Sequence, residues 1–169
     1  MSISMYQTSV ATFISMLGNL AAILEKGVAF GETRKIDPTT LPATRLFPDM
    51  LPLARQIQIA TDNAKGCAAR LAGQQPPAFE DNEKTMADLI ARLNKTIDYL
   101  KSFSAAQIDG SEDRDISLKV GGYEMKFKGQ PYLLTFALPN FYFHVTTAYN
   151  ILRHCGVDVG KQDFLGKIQ

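Results

Sequence analysis

The sequence predicts an all-α protein, a four-helix bundle with a small β-hairpin inserted before its last long helix. Three observations carry that prediction. Four stretches place apolar residues every three or four positions, the period of a helix with one buried face. Between the third and fourth, two runs that alternate apolar and polar residues flank Gly121-Gly122, the pattern of a tight hairpin. The chain has 169 residues, 46% of them hydrophobic, enough to bury a full core as one domain spanning 1–169.

The first stretch, about Ser4 to Ala29, aligns Tyr6, Val10, Phe13, Leu17, Leu20 and Leu24 on one face. Ser2 or Ser4 is placed to cap its start, and Gly27 or Gly31 to end it. A proline-rich connector follows. The second stretch, about Asp49 to Ala72, takes Asp49 as its N-cap and tolerates Pro52 in its first turn. Its stripe is Leu53, Gln56 or Ile57, Ala60, Ala64, Cys67 and Leu71, and its small second half invites a close neighbour. Pro76-Pro77 prevent its continuation. The third, about Asn82 to Ser102, turns Met86, Leu89, Ile90, Leu93, Ile97 and Leu100 inward. Lys84, Asp88, Arg92, Lys95, Asp98 and Lys101 read as its solvated face.

Ile116, Leu118 and Val120, then Tyr123, Met125 and Phe127, give the hairpin an apolar face that has to lie on the bundle. Pro131 opens the fourth stretch at a first-turn position. Its inner stripe is Leu134, Ala137, Phe141, His144, Ala148, Ile151 or Leu152, and Cys155. With no charge between Lys128 and Arg153, it reads as the most buried helix, bent at Pro139. The tail returns over the surface, anchored by Phe164 and Leu165.

Net charge is +1, from 18 basic and 17 acidic residues, and no basic face emerges, so a nucleic-acid partner is not expected. The uncharged first 24 residues are interrupted by Gln7, Thr8, Ser9, Thr12, Ser15 and Asn19 at helical spacing, which reads as an interior helix, with no membrane role expected. Cys67 and Cys155 lack metal-ligand spacing and read as free buried thiols of a cytoplasmic protein. Phosphate-loop, GxSxG and HExxH patterns are absent.

The candidate chemistry lies at Asn140-x-x-x-His144, a spacing that stacks two side chains on one helix face. His154, ten residues on, sits about 80° around and about 15 Å along the same helix and cannot share an ion with His144. The plain reading of His144 is a core imidazole satisfied by hydrogen bonds.

The segments SISMYQTSV, PDMLPLARQIQIATDNAKG, NFYFHVTTAYNILRHCGV and DFLG resemble the DinB/YfiT-like proteins, and among them a bacterial subfamily that is a domain of unknown function. The resemblance covers nearly the whole chain and implies a four-helix bundle of a kind described as metalloenzymes. It implies a His-x-x-x-His pair on the last helix at a fixed interval from a glycine, with a third histidine on the second helix. Asn140, His144 and Gly156 occupy the first set of places, and Gln56 is the inward-facing counterpart of the third. Two of three ligands are then amides, weak donors for zinc or nickel.

Two functions follow. One is a non-catalytic or small-ligand-binding bundle with no cofactor, whose metal site has degenerated around Gln56, Asn140 and His144. The other is a metal-assisted hydrolase or thiol transferase of the DinB-like type, with zinc or nickel and His144 as ligand or general base. Phe141, Tyr142, Phe143 and Val145 make the last helix apolar on more than one face, so a homodimer is expected.

Overall fold

The computed structural model describes residues 3–167. A π-helical turn, Gln7–Ala11, runs into α1 (Thr12–Arg34); α2 (Thr40–Ala43) lies in the connector to α3 (Leu53–Leu71). Then come α4 (Met86–Lys101), α5 (Ala105–Ile108), the strands β1 (Asp115–Val120) and β2 (Tyr123–Lys128), and a short turn α6 (Gly129–Pro131). A second π-helical segment, Tyr132–Ala137, leads into α7 (Leu138–His154), and α8 (Lys161–Leu165) closes the described chain. This is the mostly helical bundle with one hairpin ahead of the last long helix that the periodicities predict.

Side-chain contacts fix the directions of the four long helices. Phe13 meets Phe141 and Gly27 lies beside Leu152, so α1 and α7 run parallel. Gln56 pairs with His144 and Arg70 with Tyr132, so α3 runs antiparallel to α7. Gly27 also abuts Met86, while Asp109, just past α5, accepts from Ser4 Oγ and the Tyr6 amide, so α4 opposes α1. It follows that α3 and α4 are parallel neighbours, and residues 72–85 must carry the chain back along the bundle. The 16 residues of α4 span about 24 Å. Fourteen extended residues reach about 46 Å, which is ample.

That return strap is held by Arg92, whose side chain is 2% exposed. Its guanidinium meets Asp62 at 2.9 Å, Asp81 at 3.1 Å and Glu83 at 2.9 Å, and also donates to Thr61 Oγ1 and the Glu80 carbonyl. Phe79 packs under Lys65 and Lys95, their Nζ atoms 4.8 and 4.1 Å from the ring centre. The expectation that Arg92 belongs to a solvated face is therefore corrected. A sequence period cannot register a strap laid over that face.

Other boundaries shift for local reasons. α1 continues past Gly27 and Gly31 to Lys35, which takes the left-handed conformation at φ 55°. Ser4 Oγ accepts from the Gln7 amide at the start, whereas Ser2 and the Val120 side chain lie outside the described residues. α3 is capped at Pro52 rather than Asp49, because the Thr44 carbonyl accepts the Leu53 amide at 2.9 Å. α4 starts at Met86, after a capping box between Thr85 and Asp88. Gly121 and Gly122 both have positive φ, 56° and 88°, and close the hairpin with Val120 opposite Tyr123. The hairpin lies on the bundle as far as its middle: Ile116 is buried, Leu118 packs against the core and Phe127 packs on Tyr132 and Phe136, while Tyr123 at the tip is 79% exposed.

In the last helix, the Leu138 amide bonds the Leu133 carbonyl, five residues back, just before Pro139. The widened turn absorbs the missing proline donor and rotates the stripe. Tyr132 and Leu133 point inward in place of Leu134, which is 49% exposed. The most buried helix is α3, with thirteen of 19 residues buried against seven of 17 in α7. It lies between α4 and α7, and the strap covers its remaining side. In the tail, Phe164 packs edge-on against Tyr149, but Leu165 is exposed.

By length and composition alone, Gln7–Arg34 holds an 18-residue window apolar enough to cross a bilayer. Here Val10, Phe13, Leu17, Leu20 and Leu24 all lie in the core.

Candidate functional site

Gln56 comes from the first turn of α3 and His144 from the middle of α7, two helices in antiparallel contact. Their side chains meet: His144 Nδ1 and Gln56 Oε1 are 2.7 Å apart. The other end of the amide settles the roles, since Gln56 Nε2 donates to the Leu51 carbonyl at 2.9 Å and so turns Oε1 toward the ring. His144 Nδ1 therefore carries the proton and donates. Nε2 is left as an acceptor. It is not sealed off, because the one buried side-chain polar atom without a partner among the described residues is Ser111 Oγ.

Burial holds the His144 pKa below its ordinary 6.5, since removing water disfavours the cation. With the pKa lowered from 6.5, the imidazole is neutral at neutral pH. Phe143 stands edge-on to it with ring centres 5.2 Å apart and is 57% exposed. Leu51, whose carbonyl anchors Gln56, is 43% exposed. The pair thus sits at an apolar rim with one aromatic ring open to solvent.

The two sequence-predicted residues on different helices are brought together. Asn140, one turn before His144 and half-buried, shares no hydrogen bond with either among the described residues. His154 is exposed at the end of α7. Arg55 leaves the pair and binds Gln58 and Asp81. Both thiols are free; Cys67 is fully enclosed, its pKa pushed up to about 12 by burial, and Cys155 is half-buried. The Arg92 cluster is the polar assembly that spacing misses. The acidic run Glu80, Asp81 and Glu83 is the one sequence feature that could have suggested it, since those carboxylates need a cation and Arg92 supplies it.

A transition-metal ion fits these residues poorly. Two ligands of one ion both aim lone pairs at it, whereas here Gln56 Oε1 is turned to the Nδ1 proton of His144 at 2.7 Å, so the two do not share an ion and a single nitrogen, Nε2, is left to ligate. Among the described residues no group of three His, Cys, Asp or Glu side chains converges.

Residues 5–165 match the family described as Domain of unknown function (DUF1993). No curated protein matches the chain. Among solved structures, the crystal structure of a DinB family member protein from Shewanella denitrificans is 42% identical, with a TM-score of 0.86 over 96% of this chain and 92% of that one. An identity and coverage this high carry more than a shared outline, and with the family match over almost the full length, they place this chain in the DUF1993 family of DinB-like helical bundles.

Proposed function

We propose that this protein is a non-catalytic bundle that binds a small neutral molecule at His144 Nε2, on a scaffold whose metal site has degenerated. The observation that carries the reading is the 2.7 Å contact between His144 Nδ1 and Gln56 Oε1. It turns what would be two ligands into a donor–acceptor pair and fixes the ring with its second nitrogen ready to accept. The ligand chemistry follows: a hydroxyl or N–H donor for Nε2, on an apolar body that rests against Phe143 and Leu51.

The test is elemental analysis of the purified protein, then calorimetric titration of wild type and His144→Ala with zinc and nickel. Substoichiometric metal and no saturable heat in either protein are expected. One equivalent held by wild type and lost in His144→Ala contradicts this and favours the metal-assisted hydrolase or transferase. A fragment screen read on the His144 ring protons tests the binding half. Donor-bearing fragments should shift them, and a screen in which none does contradicts it.

A homodimer is proposed as well. Leu134 and Tyr142 leave apolar surface on the last helix, 49% and 36% exposed, for a second copy to cover. Light scattering should give twice the chain mass of 18.6 kDa, with Leu134→Ser shifting it toward the monomer. A monomeric wild type contradicts the proposal.

A further inference from the structure

We propose that the cleft between the C-terminal end of α3 and the start of β1 binds the phosphate group of a small phosphomonoester. The cleft has a volume of about 280 Å³ and carries Arg70 on one wall and Arg114 on the other. Neither guanidinium has a carboxylate within ion-pair distance among the described residues.

Arg70 is held in place, and Arg114 lies over the helix end. Arg70 Nη1 donates to the hydroxyl of buried Tyr132 at 3.1 Å. Its side chain folds back over Gly66, where a Cβ would collide with Nη1. Arg114 crosses Gly73 in the same way, and Gly73 also needs its φ of +72° to end the helix. Two glycines at the same end of α3, two turns apart, each clear the path of one guanidinium.

Capping of α3 does not account for the arginines, because the helix ends itself. The Gln74 amide bonds the Ala69 carbonyl at 2.8 Å and the Gly73 amide bonds the Arg70 carbonyl at 3.0 Å, a complete Schellman motif. Electrostatics decide the sign of the ligand. Asp115 lines the cleft but is paired with Lys128 at 2.7 Å, and Glu124, which accepts from Ser117, lies 3.8 Å from Lys126. The helix end contributes about half a negative charge, against two whole positive charges. A phosphomonoester, with about −1.5 to −2 charges and three acceptor oxygens, matches two arginine forks. The side-chain amides of Gln74 and Gln75 supply further donors at the rim.

The experiment is an amide-resolved NMR titration of the full chain with inorganic phosphate at low salt, with acetate as comparator. Saturable shifts are expected at Gly73, Gln74, Arg114 and Ser117, with a Kd of about 1 mM that rises with salt. Arg114→Ala, a change at an exposed side chain, should weaken binding about tenfold with the rest of the spectrum unchanged. Shifts that stay linear into the tens of millimolar overturn the proposal, as does equal affinity in a folded Arg114→Ala. Saturation by acetate as tight as by phosphate overturns the assignment to a dianion.

Discussion

Replacing Arg92 with alanine is expected to lower the free energy of unfolding by about 3–5 kcal/mol, the range for removing one partner of a buried ionic cluster. The loss is larger than for a surface ion pair because the guanidinium is 2% exposed and Glu83 only 9%. Without Arg92, the Glu83 carboxylate, the Thr61 hydroxyl and the Glu80 carbonyl all lose a donor together. The strap over residues 72–85 then keeps its outer ties, Gln58 to Glu83, Arg55 to Asp81 and Phe79 under Lys65 and Lys95, but loses the buried one, and amides there should exchange with solvent well before those of α3. The cluster also has a pH signature. Burial pushes the Glu83 carboxyl up, but hydrogen bonds from Gln58 and Arg92, with the guanidinium charge, more than offset this and leave it below its ordinary 4.5. A lowered carboxyl pKa contributes stability that is fully present above 4.5 and lost as pH falls through the lowered value. Wild-type and Arg92→Ala stabilities should therefore converge in acid. Denaturant unfolding across pH checks both points, and a loss below about 1 kcal/mol at neutral pH contradicts the account.

Phe141→Ala is expected to cost about 3–5 kcal/mol, the transfer and cavity penalty of a large buried ring. Phe141 is fully buried, edge-on to Phe13 with ring centres 4.7 Å apart. This contact joins α1 to α7, which share a sparser interface than α3 and α7 do, so neighbours cannot easily close the void. Phe141 also lies one turn before His144, so its loss should loosen the wall that aims the imidazole. Phe141→Leu should recover a large part of the stability. If Phe141→Ala unfolds within about 1 kcal/mol of wild type, the α1–α7 interface is not packed as described.

Much of this architecture is written in local pattern. The stripes through Val10, Phe13 and Leu17, through Ile57, Ala60 and Ala64, and through Leu89 and Leu93 identify three helices, since burial on one face imposes the helical period. Gly121-Gly122 fixes the hairpin because two consecutive positive φ values exclude most side chains. What depends on the return path of the chain is not written that way. Arg92 looks like any charged outer position until the strap is laid across it. Leu134 looks like a core position until the turn before Pro139 widens and rotates the phase. Gln56 and His144 are legible as inward-facing residues one by one. That they donate and accept to each other is set by the Leu51 carbonyl, a backbone group that no residue pattern announces.

The most direct test is the nitrogen spectrum of the His144 ring at neutral pH, recorded before and after one equivalent of zinc. A neutral ring protonated at Nδ1, with Nε2 unprotonated and unmoved by the ion, is the predicted result. A ring that binds zinc through either nitrogen, or carries its proton on Nε2, contradicts the pairing with Gln56 on which the functional reading stands.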